Sequence, residues 1–453
     1  MRITIVGAGF VGLTTGVCFA DKGHKAYCVD VDKDKIAKIS TGFPPFFEKG
    51  MEPLLKKHIN KGLTATTDLK ESIKKSDVTF ITVGTPFDGK QIDLSYVKAA
   101  AREIGRALKE AEDYHLVVVK STVTPGTTDD VVLPILEEAS GKIAGKDFGV
   151  GMNPEFLREG EAVDDFLNPD RIVLGGMDTK SREILEGLYQ GFKSVDVMRV
   201  NNKTAEMIKY TSNSLLATMI SFSNEIANLC SVIDGVDVVD VLGGVHLDKR
   251  LSPIMPSGER VHPSFLTYLE SGCGFGGSCF PKDVKALVNF GENRGVPMEI
   301  LEKVIAVNNK QPFQMIDLLT KHFHNIKGLK ISVLGIAFKP GTDDIRESPS
   351  LPIVKELSVK GATVKVFDPI VQAESNEAFK DLKNISQAET LEDALTDVDA
   401  VLLITRWKEF EKIPKLLSGM KINPLIIDGR RMLKKGEISK YMGIGLNQGF
   451  FSL

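Results

Sequence analysis

The sequence predicts an α/β chain in which two Rossmann-like α/β domains are joined by a helical central domain with a long spine helix. Three observations carry that expectation. Over residues 3–30 a β-branched run, a glycine turn, an apolar helical pattern and a second apolar run ending in an acid follow one another. The same order returns over residues 331–368. Between the two lies a stretch of nearly thirty residues with apolar positions at helical spacing and neither Pro nor Gly.

Taken in order, Ile3 to Val6 is a short strand, Gly7-Ala8-Gly9-Phe10-Val11-Gly12 a turn, and Leu13 to about Asp21 a helix that Gly23 stops. Ala26 to Val29 is the next strand, ending at Asp30. Val78 to Val83 and Leu116 to Val119 read as further strands, with Phe148 to Met152 and Ile172 to Leu174 as weaker ones. Strands alternating with helical stretches imply a parallel sheet covered on both faces. From Lys203 to about Ser231, Ala205, Ile208, Ser212, Leu215, Met219, Phe222, Ile226 and Leu229 mark one helix, about 40 Å long at 1.5 Å per residue. Asp237 to Leu242 and Val284 to Phe290 are further helices. The second copy then runs through a strand at Ile331 to Leu334, a turn at Gly335, a helix at Ser350 to Ser358, a stop at Gly361 and a strand at Val364 to Phe367 before Asp368. Its extra length falls in the loop 338–349. Asp399 to Leu403 echoes Asp77 to Ile81, and Ile426 to Asp428 is a last strand. Domains are expected at 1–202, 203–309 and 310–453, in keeping with about 150 residues per domain for 453 residues.

Composition narrows the function. The net charge of −3 lacks the basic surplus of a nucleic-acid binder. No apolar run approaches the roughly 18 residues of a membrane span, and the first apolar run turns at Gly7, too early for a signal peptide. Five cysteines (Cys18, Cys28, Cys230, Cys273, Cys279) make no disulfide framework and point to a reducing, cytoplasmic setting. The seven histidines offer only His322 and His324 as a close pair, so no metal site is expected.

Gly7, Gly9 and Gly12 lie between a strand and a helix, with Asp30 ending the next strand, which is the spacing of a dinucleotide site. Gly7 permits the tight turn, Gly9 the approach of a pyrophosphate, and Gly12 close helix–strand packing. The helix N-terminus suits a phosphate. Asp30 is expected to accept from the adenosine ribose. With Asp32 it repels a 2′-phosphate, partly offset by Lys33 and Lys35, so NAD is favoured over NADP, although a flavin also fits the fingerprint. Thr85, in Gly84-Thr85-Pro86, and Thr122, in the polar run after Val119, sit at strand ends where ligands gather.

A second site centres on Gly272-Cys273-Gly274-Phe275-Gly276-Gly277-Ser278-Cys279-Phe280-Pro281-Lys282-Asp283. Its glycines leave room for a ligand against the backbone. Cys279 precedes a helix expected to start near Pro281 and adjoins Lys282, both of which favour a thiolate. Asp283 is placed to activate a water. Cys273 offers itself as a redox partner for Cys279, although the spacing fits no known redox motif. On the long helix Lys209 and Asn213 share one face with Glu206, either as a solvated edge or as oxyanion donors in a cleft. In Asn153-Pro154-Glu155-Phe156-Leu157-Arg158-Glu159-Gly160, Glu155 reads as a general base or as a helix start. A nucleotide-linked dehydrogenase needs a nucleophilic thiol when an aldehyde must go on to an acid: thiolate addition gives a thiohemiacetal, hydride loss a thioester, and water the carboxylate. The expectation is a primary alcohol taken to an acid with two NAD consumed.

These segments, together with Lys120-Ser121-Thr122-Val123, Ile208-Lys209-Tyr210 with Asn213, and the loop Phe338-Lys339-Pro340-Gly341-Thr342-Asp343-Asp344-Ile345-Arg346-Glu347-Ser348-Pro349, resemble the nucleotide-sugar 6-dehydrogenases across essentially the whole chain. The resemblance implies NAD-dependent oxidation of UDP-glucose to UDP-glucuronate, with GDP-mannose, and then a UDP-N-acetylhexosamine, as alternatives. The last group tends to differ at Ser278 and after Cys279. It makes Cys279 the nucleophile, Lys209 and Asn213 the oxyanion stabilisers, and Asp283, Thr122 and Glu155 the managers of water and protons. It assigns Gly7, Gly9, Phe10, Val11, Gly12, Asp30, Lys35, Thr85, Thr122, Glu159, Lys282 and Arg346 to NAD. Glu155, Phe156, Leu157, Arg158, Glu159, Lys209, Asn213, Tyr268, Leu269, Glu270, Ser271, Gly272, Gly276 and Lys339 fall to the nucleotide sugar. Glu270 and Cys273 stand where the family varies. The resemblance also implies a homodimer or higher homo-oligomer built on the long helix.

Overall fold

A computed structural model describes residues 1–89, 91–371 and 377–447 and divides into two compact units, Met1–Ser212 and Asn213–Leu453. The first unit holds an eight-stranded sheet in the order β3-β2-β1-β4-β5-β6-β7-β8. Its strands are β1 (Arg2–Val6), β2 (Lys25–Val29), β3 (Leu63–Thr66), β4 (Val78–Ile81), β5 (His115–Val119), β6 (Phe148–Met152), β7 (Arg171–Gly176) and β8 (Asp196–Val200). β1 lies between β2 and β4, with Ile3 paired to Ala26 on one side and to Val78 on the other. The order therefore reverses at β1, the point beyond which such sheets bind ligands. Every residue of β4 and β5 is buried, as expected of strands covered on both faces.

One departure from the parallel pattern is the β6–β7 pair, which is antiparallel and short, matching Gly151 with Gly176 and Met152 with Gly175. The glycines make it fit: a Cβ on Gly151 would lie 2.9 Å from the Gly175 carbonyl oxygen. The first helix spans Phe10–Asp21, starting three residues before the expected Leu13, so Gly12 lies inside it. β4 ends at Ile81 rather than Val83, and Thr82, just beyond it, donates its hydroxyl to the Val6 and Gly7 carbonyls.

The second unit contains a six-stranded, all-parallel sheet in the order β11-β10-β9-β12-β13-β14. These strands are β9 (Lys330–Leu334), β10 (Thr363–Phe367), β11 (Ile385–Gln387), β12 (Ala400–Leu403), β13 (Leu425–Asp428) and β14 (Tyr441–Gly443). Helices Val238–His246, Phe280–Glu292 and Glu299–Lys310 precede the sheet. Ala227 and Val238 share one apolar core with Ile331, Val333, Met315 and Ile353, so helices and sheet form one body. The long helix covers Asn202–Cys230, and the boundary between the two units falls within it.

Within the first sheet His115 is buried, with Nε2 2.8 Å from the Thr79 hydroxyl. Burial pulls its pKa down from 6.5 to about 4. The unfolded chain binds that proton more readily, so stability is fully present above pH 6.5 and is lost as pH falls towards 4. At 1.36 kcal/mol per pKa unit the loss is roughly 3 kcal/mol. Urea unfolding of wild type and His115→Asn at pH 7.5 and 4.5 is expected to show the wild type losing more stability on acidification than the variant, by an amount of that order.

Candidate active site

The turn after β1 brings three glycines to three different tasks. Gly7 has φ +102° and donates its N–H to the Val29 carbonyl at 2.8 Å. A Cβ on Gly12 would lie 1.8 Å from the Gly7 oxygen. Gly9 instead faces open space, with nothing within 4 Å of where its Cβ would stand. It precedes the helix Phe10–Asp21 without a side-chain cap, leaving first-turn N–H groups for an anion. This cradle fits a pyrophosphate. Phe10 packs on Phe46 with centroids 5.1 Å apart, and Val11 is half-buried beside it.

Asp30 is already engaged. Oδ2 accepts from the Ala8 N–H at 2.8 Å and from Lys35 Nζ at 2.9 Å, and Oδ1 from the Asp32 N–H at 3.0 Å. Burial raises its pKa, but Lys35 and the backbone donors outweigh burial and hold the carboxyl below its usual range. Lys35 thus serves Asp30 first. At the ends of β4 and β5, Thr85 donates its hydroxyl to the Thr122 carbonyl at 2.8 Å and Ser121 to Val83 at 2.7 Å, with the Thr122 side chain half-buried.

Beyond β6, Glu155 is buried in irregular chain; the next helix begins only at Ala162, so Glu155 does not start one. Its Oε1 lies 2.9 Å from Lys209 Nζ, and Oε2 accepts from the Leu157 N–H at 2.6 Å. Burial works against its ionisation, yet Lys209, Leu157 and Lys120 together hold the carboxyl below the ordinary range. Arg171 and Lys209 lie over the Phe156 ring, 3.9 and 5.5 Å from its centroid. Arg158 is exposed and paired with Asp165, and Glu159 is half-buried. Glu48 accepts from the Gly160 and Ala162 N–H groups at 2.7 and 2.9 Å and fastens this loop. Lys209 and Asn213 are both buried, which rules out a solvated edge. Glu206, expected to join them, turns instead to the Gly126 N–H at 2.6 Å and to the Thr128 N–H and hydroxyl at 2.8 and 2.7 Å. Burial pushes it up to about 7 against those donors.

In the second unit Cys279 stands directly before the helix Phe280–Glu292 and is half-buried; the other four cysteines are buried. Burial raises the thiol of Cys273 to about 11, and its S–H points to the Gly429 carbonyl at 3.5 Å, which makes it a packing residue rather than a redox partner. Asp283 sits one turn into the helix, 1% exposed, and accepts from Asn213 Nδ2 at 2.7 Å and Lys282 Nζ at 2.6 Å. Ser278 Oγ is 3.7 Å from Cys279 Sγ.

The glycines of the cysteine loop are also required by the protein's own packing. They admit protein rather than ligand on the side a Cβ would occupy: at Gly276 it would lie 2.3 Å from the Glu347 oxygen, at Gly277 2.7 Å from the Phe338 ring, at Gly272 2.7 Å from Arg430, and at Gly274 2.7 Å from Asn308. Four residues that motif reasoning passed over fix this loop. Asn224 accepts from the Gly272 N–H at 2.7 Å, Gln311 donates to its oxygen at 2.8 Å, Asn308 pairs with both polar groups of the Phe275 backbone, and Arg430 reaches the Gly274 oxygen at 3.4 Å. An Asn or Gln at helical spacing carries no signal of its own in one sequence. Upstream, the rings of Tyr268 and Phe280 lie 6.3 Å apart, the Leu269 carbonyl meets His246, Glu270 pairs with Arg406 at 2.5 Å, and Ser271 is buried. Lys339 and Arg346 sit on the loop whose Arg346 carbonyl accepts the Gly277 N–H at 2.8 Å; Arg346 itself pairs with Asp344.

Three family models match in sequence. The NAD binding domain, the central domain and the UDP binding domain of the UDP-glucose/GDP-mannose dehydrogenase family cover residues 1–193, 203–310 and 332–435. The chain belongs to that family. It is an NAD-dependent dehydrogenase. It is 40% identical over 442 residues to the UDP-glucose 6-dehydrogenase AglM of Haloferax volcanii, covering 96% of this chain and 98% of that one. A UDP-glucose dehydrogenase structure from Pyrobaculum islandicum matches with TM-score 0.87 at 35% identity, over 98% of this chain and 97% of the other. A UDP-D-ManNAc dehydrogenase from Pyrococcus horikoshii matches with TM-score 0.83 at 29% identity, over 99% and 100%.

For this family member the glycines separate binding from folding. Gly9→Ala has an allowed backbone (φ −77°) and open space, so it is expected to melt with the wild type but to bind NAD about tenfold more weakly, about 1.4 kcal/mol. Gly12→Ala is expected to fail at the folding step. Thermal unfolding and NAD titration of both variants check this.

Proposed function

We propose that this NAD-dependent dehydrogenase oxidises C6 of UDP-glucose from primary alcohol to carboxylate, giving UDP-glucuronate with two NAD consumed and one water added. The observation that carries the reading is Cys279, half-buried at the head of its helix with buried Asp283 one turn on, where the other four cysteines are buried. In this reading residues 1–202 bind the dinucleotide, 203–309 carry the cysteine loop, and 310–453 hold the nucleotide of the sugar.

NAD, when bound, supplies the hydride acceptor. It is held by the cradle of Gly7, Gly9, Phe10, Val11 and Gly12 and by Asp30, with Lys35, Thr85, Thr122, Glu159, Lys282 and Arg346 contributing contacts. Residues 155–159, Tyr268 to Gly272, Gly276 and Lys339 hold the nucleotide sugar. Glu155 takes up the C6 hydroxyl proton as the alcohol becomes an aldehyde. The Cys279 thiolate adds to the aldehyde carbon, and the Lys209 ammonium and Asn213 amide stabilise the oxyanion of the resulting thiohemiacetal. Loss of a second hydride leaves a thioester on Cys279. Asp283, with Thr122 and Glu155, directs water onto that carbonyl, and the C–S bond breaks to release the acid and restore the thiolate.

Purified protein with UDP-glucose and excess NAD is expected to yield two NADH per sugar, whereas Cys279→Ser is expected to make no acid. One NADH per sugar, or faster turnover of GDP-mannose or UDP-N-acetylmannosamine in the same assay, overturns the assignment.

We further propose a homodimer on the long helix, in the reducing cytoplasm that five free cysteines favour. Leu215, Phe222 and Leu229 recur every seven residues and are 58%, 51% and 57% exposed, with Val232 at 69% beyond them. A stripe of that kind on one helix supports an interface. Phe222→Glu is expected to shift sedimentation from dimer or higher oligomer towards monomer; an unchanged sedimentation coefficient removes the stripe from the interface.

A further inference from the structure

Lys120 follows β5 and is 3% exposed. Its ammonium donates to Asn153 Oδ1 at 2.8 Å and lies 5.8 Å over the Phe166 ring. The same Asn153 oxygen accepts from the Tyr189 hydroxyl at 2.5 Å, and Asn153 Nδ2 donates to the Val173 carbonyl at 2.9 Å, so the amide is fixed. A buried ammonium whose direct hydrogen-bond partner is a neutral amide is costly to hold. A Met or Gln there meets the packing need at lower cost, so the charge itself calls for a reason.

The reason lies two residues beyond Asn153. Glu155 is 6% exposed, and its ion-pair partner is Lys209 at 2.9 Å. In the reaction proposed above, on which this inference rests, Lys209 must serve the substrate oxyanion as well. A buried carboxylate that loses its cation takes up a proton and ceases to be a base. We propose that Lys120 is a positioning residue, a second buried cation that keeps Glu155 ionised while Lys209 engages the substrate oxygen. The groups around this centre are Lys209 on the long helix, paired with Glu155, the Leu157 N–H on the loop of Glu155, Lys120 at the end of β5, bonded to Asn153 two residues before Glu155, and Arg171, which lies over the neighbouring Phe156 ring. Tyr189 contributes only a neutral hydroxyl, its pKa raised by burial. Burial pulls Lys120 down to about 8 while Glu155 holds it up and Lys209 opposes it, which leaves the ammonium charged at neutral pH.

The test is the acid limb of the kcat–pH profile in Lys120→Gln and Lys120→Met, measured with whichever nucleotide sugar the wild type oxidises. Removing the cation is expected to move that limb up by about one pH unit, a tenfold loss of kcat below it, with NAD affinity unchanged. If neither variant folds, Lys120→Arg, which keeps the cation, is expected to leave the limb where the wild type has it, and a limb raised by a full unit counts against the role of the charge. A readout without turnover separates this inference from the substrate assignment. In protein labelled with carboxyl-¹³C glutamate, the Glu155 resonance, assigned by its loss in Glu155→Gln, is expected to titrate at higher pH in the variants. An inactive wild type overturns the proposed reaction, whereas an unmoved limb and an unmoved Glu155 titration overturn the role of Lys120.

Discussion

The buried ion pair between Glu155 and Lys209 ties the long helix to the loop that follows β6, where the strand-end chemistry sits. Both side chains are buried, so the pair is tenable only where its geometry is held and its remaining hydrogen-bonding capacity is met. The long helix supplies that hold along one edge. Asn202 grips Asp129, Lys203 grips Asp130, Glu206 grips Gly126 and Thr128, and Lys209 grips Glu155. Positions three to four apart lie on one side of a helix, so two turns fasten the loops that follow β5 and β6. Those loops carry Thr122 and Glu155. A helix that reads as a spine in the sequence therefore also sets the strand-end chemistry, and Asn213 comes one turn after Lys209 on the same helix.

The two sheets share a turn and use it differently. Gly335, with φ +92°, donates to the Phe367 carbonyl as Gly7 does to Val29, and Asp368 stands where Asp30 does. Asp30 keeps part of its surface open. Asp368 is 2% exposed and accepts from the Ile336, Ala337, Ile370 and Val371 N–H groups and from the Trp407 indole. A ribose would have to displace Trp407 to reach it. In the first copy the helix begins at Phe10, directly behind the turn, and offers its N-terminus to a phosphate. In the second it begins only at Ser350, after the inserted loop. The same supersecondary unit thus keeps a pyrophosphate cradle in one sheet and lacks it in the other.

Much of this was legible in the sequence. The glycine turns, the buried strands and the long helix announce themselves because each depends on a local pattern of side-chain size and spacing. The strands that escaped notice, β3, β8, β11 and β14, lie at the edges of their sheets, where short or partly exposed runs carry little apolar signal; β8 has no fully buried residue. The antiparallel pairing of β6 and β7 escaped for a different reason, since strand direction depends on partners distant in sequence. In the site, Cys279, Lys209, Asn213 and Asp283 stood out by residue type in an unexpected setting. Glu48, Asn224, Asn308, Gln311 and Arg430 did not, because they act on backbone groups far along the chain; Glu206 stood out beside Lys209, but its partners Gly126 and Thr128 did not. Lys120 was visible only as one letter of a motif, and its meaning lies in its burial.

The inserted loop of the second copy also explains the cysteine loop. Residues 338–349 pack onto the glycines ahead of Cys279, with the Phe338 ring and Glu347 backbone occupying the space that side chains at Gly276 and Gly277 would need, and with the Arg346 carbonyl bonded to Gly277. Arg430, from the turn after β13, and Asn224, from the long helix, hold the other end. A nucleophile gains most when its approach needs no reorganisation at the moment of reaction, and a glycine-rich segment left to itself is the least organised of backbones. Here the glycines do not confer mobility. They let three other parts of the unit close onto the backbone, so that the sulfur at the head of the helix projects from a segment braced on both sides.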